Sequence, residues 1–360
     1  MRGHEKKQSS MLCLVSPADR VPADHPLRGI KSLVDEILGE LSPVFDAMYS
    51  ADGRPSIPPE SLLKASLLIA LYSIRSERQF CDQLDYNLLF RWFLDMDMLD
   101  STFDASTFSK NRERLMAHDV ARQFFQLVVE GARAANLLSR DHFTVDGTLI
   151  EAWASLKSFR PKDKKGPPEG DGGSGDGMVD FRGEKRSNDT HESTTDPESK
   201  LIRKGLGKEA KLSFGAHALM ENRSGLLVDL RVSDANTRNE REVGLAMLSD
   251  AETGCRPTIG GDRGYNTRGF VDGCRERGFV PHVAQKKDFN AIDGRTTRHD
   301  GYAVSQRVRK RVEEIFGWMK AVGGFRKTRY KGRERTQLAA YLVGAAYNLL
   351  RITKLMAEPA

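Results

Sequence analysis

Residues 142–150, HFTVDGTLI, decide how this chain folds. β-Branched and aromatic side chains suit a pleated, half-buried strand, and the run follows polar sequence. Asp146 stands near its centre. Aspartate is depleted in strands and costly to bury, so a role in chemistry explains it better than packing does.

Reading outward from this strand gives a regular succession. KLSFGAHALM (211–220) and SGLLVDLRVS (224–233) predict two strands joined as a hairpin through Glu221-Asn222-Arg223-Ser224-Gly225. Residues Thr237–Ala251 predict a helix, Pro257–Gly261 a short strand, Thr267–Arg277 a helix and Phe279–Ala284 a fifth strand. Helices over Tyr302–Val322 and Thr336–Met356 complete the series. Three strands, helix, strand, helix, strand, helix is the element order of the ribonuclease H-like fold, an α/β arrangement with a mixed sheet covered by helices. In that topology the first and fourth strands are neighbours. Asp146 therefore converges with Asp262, which follows the fourth strand in the glycine-rich TIGGDRGYN (258–266), and a later helix brings Glu313 near. Three hard oxygen ligands suit Mg²⁺. Two such ions would activate the attacking oxygen and stabilise the leaving one in an in-line phosphoryl displacement.

The segment VSQRVRKRVEEIFGWMKAVGGFRKTRYKGRER (304–335) supplies the charge. Between Gly301 and Arg335 eleven Lys/Arg face three Glu, a net of +8, against +6 for the whole chain. The rest of the protein is thus slightly acidic, and the basic excess lies beside the candidate acidic site. Basic charge next to carboxylates is expected of an enzyme that cuts or joins nucleic acid. Val304, Val308, Val312, Ile315, Met319 and Val322 recur at spacings of three and four, an apolar helical stripe. Arg309, Glu313 and Lys320 share a second stripe, and Glu314 lies on the other flank. By itself this helix is equally consistent with a solvated face carrying ordinary ion pairs.

With 360 residues, 39% hydrophobic and 29% charged, the chain has room for two compact units. Residues 1–138 read as an α-helical N-terminal domain for DNA binding or assembly, and 139–357 as the catalytic domain. Residues 156–207, rich in glycine, proline and charge, read as a flexible insertion. Pro58-Pro59 opens one N-terminal helix, and Ser76 with Gln79 forms a candidate capping box. STFSKNRERLM (106–116) displays Lys110, Arg112 and Arg114, further DNA-binding candidates in a helix-turn-helix-like setting or else part of a packing cap. Cys13, Cys81, Cys255 and Cys274 lack metal-ligand spacing. No apolar run is long enough for a bilayer, which points to a cytoplasmic protein. Trp153 and His217 read as core residues.

TVDGTLIEAWAS (144–155), GDRGYN (261–266) and RKRVEEIFGWMK (309–320) resemble the three catalytic blocks of DDE transposases from bacterial insertion sequences. The insertion sequence five group is the most similar. Its third block spaces Arg, Glu and Lys as Arg309, Glu313 and Lys320 stand here, which selects Glu313 over Glu314. RPSIPPESLLKASLLIALYSIRSERQFCDQL (54–84) also resembles the family's N-terminal region. The resemblance implies that Asp146, Asp262 and Glu313 form a catalytic triad binding two Mg²⁺, with Mn²⁺ able to substitute. It also implies that Arg309 and Lys320 contact DNA near the cut. Arg326, Lys327, Arg329, Lys331 and Arg333 would hold phosphates. The implied reaction is hydrolysis at the ends of a mobile element, then attack of the freed 3′-hydroxyl on target DNA by at least a dimer. The rivals are a catalytically silent DNA-binding protein and a non-transposing nuclease of the same fold. Two departures from the family are Arg263 where lysine is usual after the aspartate, and the insertion between the first two strands.

Overall fold

The computed structural model describes residues 16–49, 56–162, 186–203, 205 and 207–357, apart from the side chains of 237 and 238. Its helices and strands, in chain order, are α1 (Pro17–Arg20), α2 (Leu27–Glu40), α3 (Ser42–Met48), α4 (Pro59–Leu71), α5 (Glu77–Leu84), α6 (Leu88–Phe93), α7 (Ser106–Ala117), α8 (Val120–Ala134), β1 (His142–Glu151), β2 (Phe159–Pro161), β3 (His191–Ser193), β4 (Lys200–Arg203), β5 (Ala210–Glu221), β6 (Leu227–Asp234), α9 (Thr237–Asp250), β7 (Thr258–Gly261), α10 (Arg268–Glu276), β8 (Val280–Val283), α11 (Gly294–Thr297), α12 (Asp300–Val308), α13 (Val312–Ala321) and α14 (Arg333–Ala357). The local signals act where the sequence put them. Proline occupies the first position of α4, where its missing N–H costs nothing. Ser76 Oγ accepts from Gln79 N at 3.1 Å at the head of α5, while Gln79 Oε1 accepts from Arg75 N rather than from the cap residue itself.

The main sheet is mixed. β5 pairs antiparallel with β1 on one edge, and with β4 and β6 at successive stretches of the other. β7 lies parallel to β1, and β8 parallel to β7. β1 outruns its parallel neighbour: the β1–β7 ladder covers only His142–Thr144. Farther along, Glu151 N donates to Arg326 O at 3.0 Å, and Thr328 N donates to Glu151 O at 2.8 Å. Between these two contacts one edge of β1 is left open, and Asp146 sits on that stretch.

Alternate residues of β1 feed two cores, as a two-residue repeat requires. Phe143 and Val145 join a smaller core with Leu219, Met247, Ile259 and Phe270. Ile150 and Ala152 join a larger one with Phe214, Ala216, Ala218 and the N-terminal helices. The larger core draws on residues from Leu27 to Ile352, with α14 packed on α4, α8 and β6. Asn348 fixes that packing: its Oδ1 accepts from Leu227 N at 2.9 Å and its Nδ2 donates to Leu227 O at 2.8 Å.

Three expectations change. The helix expected over 302–322 is two helices separated by a 3-10 turn at Arg309–Arg311. Its tighter winding rephases the apolar stripe, so Val304 is exposed while Val312, Ile315, Phe316 and Met319 are buried. Within 156–207, read as flexible, the described flanks are built structure: β2 pairs with β3, Phe159 stacks on His191, and Ser193 and Asp196 are buried. The middle of that segment lies outside the described residues. Trp153 is 51% exposed rather than core, with Lys327 Nζ 5.9 Å from its ring centroid. Cys13 lies outside the described residues, and Cys81, Cys255 and Cys274 form no disulfide.

Candidate functional site

The open edge of β1 forms the floor of a cleft of about 790 Å³. Asp146, Gly147 and Thr148 line it from the strand, Glu240 from the first turn of α9, and Glu313 and Lys320 from α13. His217 of β5 and Arg326 also line it. Asp146 is half-buried, and its Oδ1 accepts from Gly147 N at 2.8 Å. Asp262 stands just past the end of β7, where its Oδ1 accepts from Gly264 N at 2.6 Å and caps a short 3-10 turn. A Cβ at Gly264 would lie 2.9 Å from that oxygen, so the turn closes tightly on the carboxylate only with glycine there.

The electrostatics separate these groups. Burial pushes the Asp146 carboxyl up to about 7, and the negative charges of Asp262 and Glu240 add to the rise, while Arg309 opposes it. Burial, then the charge of Asp262, raises Glu240 in the same direction. Tyr265, fully buried under the site, donates its hydroxyl to Glu240 Oε1 at 3.3 Å. Arg309 Nε donates to Gln306 Oε1 at 3.0 Å, and the side chain lies over β7, 3.4 Å from where a Cβ on Gly260 would stand.

Of the sequence-predicted triad, Asp146 and Asp262 thus come into electrostatic contact. Glu313 is exposed on the facing wall of the same cleft. Lys320 lies beside it and donates from Nζ to Thr148 Oγ1 at 2.5 Å, so the basic wall is tied directly to the strand that carries Asp146. The Arg326–Arg335 strip divides. Arg326, Lys327 and Lys331 are exposed. Arg329 Nη2 donates to Ile74 O at 2.6 Å, Arg333 pairs with Asp234 at 3.5 Å and Arg335 with Glu113 at 2.8 Å. The α7 candidates divide as well. Lys110 is exposed, but Arg112 pairs with Glu77 and stacks on Tyr330, and Arg114 stacks on Tyr49. Both arginines hold the fold together. Glu240 escaped the sequence reading, because TRNEREV looks like an ordinary polar first turn and its register against β1 appears only in three dimensions.

These residues fit a divalent cation by donor chemistry. Asp146, held up toward neutrality among other acids, marks a site short of positive charge. Among the described residues no three potential ligands stand close enough to hold an ion alone.

The fold, the acidic strand edge and the basic facing wall describe a protein of the nucleic-acid-processing class. Two family models then match the chain: a transposase domain of the type termed DUF772 over residues 15–114, and the transposase DDE domain over residues 185–349. The second match contains Asp262 and Glu313 and begins after Asp146. Together they make the chain a DDE transposase of an insertion element. Similar solved structures include the piggyBac transposase synaptic complex with hairpin DNA, 11% identical, covering 93% of this chain and 76% of that one at a TM-score of 0.42. The Mos1 transposase paired-end complex with left transposon end is 11% identical over 81% of this chain and 79% of that one, at a TM-score of 0.21. At such scores the family assignment rests on the two sequence models. No helix among the described residues is long and apolar enough to cross a membrane.

Proposed function

We propose that this transposase hydrolyses phosphodiester bonds at the ends of an insertion sequence of the insertion sequence five group, and joins the freed 3′-hydroxyl to target DNA. The reading rests above all on the half-buried carboxylate of Asp146 at the open edge of β1, within electrostatic reach of Asp262 and facing Lys320 and Arg326 across the cleft. The strand order, with three antiparallel strands followed by two parallel ones, supports a ribonuclease H-like catalytic domain within 139–357. The helices of 1–138 serve DNA binding and assembly in this reading, although they share the larger core with the sheet.

Asp146 and Asp262 would hold the cation, with Glu313 joining from α13 as DNA enters; two Mg²⁺ are expected, and Mn²⁺ should replace them. When bound, the metal would make water or a 3′-hydroxyl a better nucleophile and neutralise charge on the phosphate. The chain's own residues position the DNA. Lys320 and Arg309 flank the carboxylates, while exposed Arg326, Lys327 and Lys331 neutralise phosphates without reading sequence. Two ends must be cut in concert, so a dimer or larger assembly on DNA is expected, in the cytoplasm. The test is transfer in cells of a marker flanked by the gene's native neighbouring DNA. Transfer with the wild type and none with Asp262→Ala at equal protein level supports the reading. End binding without transfer by either protein supports a silent DNA-binding protein instead.

A further inference from the structure

β7 and β8 run parallel, so the segments leaving them emerge at the same end of the sheet. Asp262 follows β7 directly, and residues 284–291 follow β8. Buried Asn266, in the turn after Asp262, ties the two segments together. Its Nδ2 donates to Ala284 O at 2.8 Å and to Asn290 Oδ1 at 2.6 Å, and its Oδ1 accepts from Ala291 N at 2.7 Å. Lys286 Nζ donates to Asn266 O at 2.6 Å. The 284–291 loop is thus pinned to the turn that presents Asp262.

That loop carries Phe289, 98% exposed and at a φ of 54°. One exposed apolar side chain is ordinary, and a positive φ is tolerated at Asp95, Asp119 and Asn136 by their short polar side chains. Phenylalanine combines both costs. It is the one aromatic among the described non-glycine residues with positive φ, and it buries nothing in return. Arg263, Arg268 and Lys287 stand exposed on the same two segments, against Asp288 as the one acid besides Asp262. A lone ring among cations suits nucleic acid, whose bases offer stacking faces and whose phosphates take the charge. A protein partner calls for a wider apolar patch, and neither segment exposes a second large apolar side chain.

We propose that Phe289 is a positioning residue for end cleavage, stacking on a base beside the cut phosphate and parting it from its pair. Asn266 fixes the reach from Asp262 to the ring, and Lys287 takes a flanking phosphate. This deepens the phosphodiester-cleavage reading above and rests on it.

The test uses the full chain and fragments of the DNA flanking its gene. Phe289→Ala should slow single-turnover cleavage of fully paired ends by about 10- to 100-fold. A mismatch placed beside the cut should restore its rate to within about threefold of wild type on the same DNA, because the base is already unpaired. Phe289→Trp, which keeps a stacking face, should cleave paired ends as wild type does. Phe289→Gly, which relieves the backbone, should share the alanine defect and melt no lower than wild type. A readout free of chemistry is 2-aminopurine beside the cut: it should brighten on binding Asp262→Asn and stay quenched on binding Phe289→Ala. Wild-type cleavage of paired ends by Phe289→Ala, with Asp146→Asn and Asp262→Asn inactive, would overturn this proposal alone. A defect that the mismatch does not lift, joined to weaker self-association, would overturn it in favour of a contact between protein copies. If Asp146→Asn and Asp262→Asn cleave like wild type, the underlying reading fails and this one falls with it.

Discussion

The two walls of the cleft handle charge in opposite ways. On the acidic wall, strand β1, the turn after β7 and the head of α9 hold carboxylates near one another with too little positive charge to match, and Asp146 is driven up toward neutrality. On the basic side, cations outnumber acids, yet many are already matched inside the protein: Arg329 by a carbonyl of the helical region, Arg333 by Asp234 and Arg335 by Glu113. Arg112, on the neighbouring helical part, is matched by Glu77 and Tyr330. Matched charge builds the scaffold. In the proposed reading, a cation binds on the acidic wall and DNA phosphate on the basic one.

Neutralising the acidic wall should have the largest effect. Asp146→Asn or Asp262→Asn should each lower end cleavage by more than about a thousandfold while end binding stays within about twofold, read by gel shift and single-turnover cleavage. Retained cleavage in either would mean that the acidic wall is not the reacting one.

The same substitution has a stability signature that scaffold charge would lack. A carboxyl whose folded pKa rises from 3.8 to about 7 binds its proton more tightly in the native state than in the unfolded chain. Its cost to stability is therefore absent below about pH 4, grows as pH rises through 7, and then levels off. Without added metal, Asp146→Asn should be more stable than wild type by about 1–3 kcal/mol at pH 8 and no more stable at pH 4. Thermal unfolding at the two pH values checks the sign. Mg²⁺ should raise the wild-type melting temperature at pH 8 and leave that of Asp146→Asn nearly unchanged.

Smaller effects test the basic wall. Lys320→Ala should slow cleavage by about tenfold or more, because it removes both a phosphate contact and the tie to Thr148. Alanine at Arg326, Lys327 or Lys331 should weaken end binding and reduce its salt dependence by about one phosphate contact each. The smallest effect on DNA should come from Arg112→Ala. It should leave binding unchanged and cost about 1–2 kcal/mol of stability, through the lost Glu77 pair and the Tyr330 stack. If it instead weakened DNA binding without loss of stability, the division between matched and unmatched charge would be wrong.

Much of this arrangement was legible in the sequence because its signals are local. Alternating β-branched residues give β1, the paired runs around 221–225 give the hairpin, and the glycines of 260–264 give the turn that presents Asp262. Asp146 stands out because aspartate is out of place in a strand. The rest depends on contacts between distant residues. Nothing in Arg309-Lys310-Arg311 announces a 3-10 turn, since it contains neither glycine nor proline. Arg112 reads as a DNA contact until Glu77 and Tyr330 close on it. The flanks of 156–207 have a loop-like composition, yet Phe159 and His191 stack and Asp196 Oδ2 accepts from Gly332 N at 3.2 Å. Glu240 is the clearest case: it gains its place from an absent side chain at Gly147, across the sheet.

The most direct test of the acidic wall is to locate the cation itself, by anomalous scattering from crystals of the protein with end DNA and Mn²⁺. A manganese peak is expected between the carboxylates of Asp146 and Asp262, touching a DNA phosphate oxygen, and it should disappear in Asp262→Asn. Ordered DNA in the cleft with manganese bound elsewhere, or with the peak unchanged in Asp262→Asn, would contradict it.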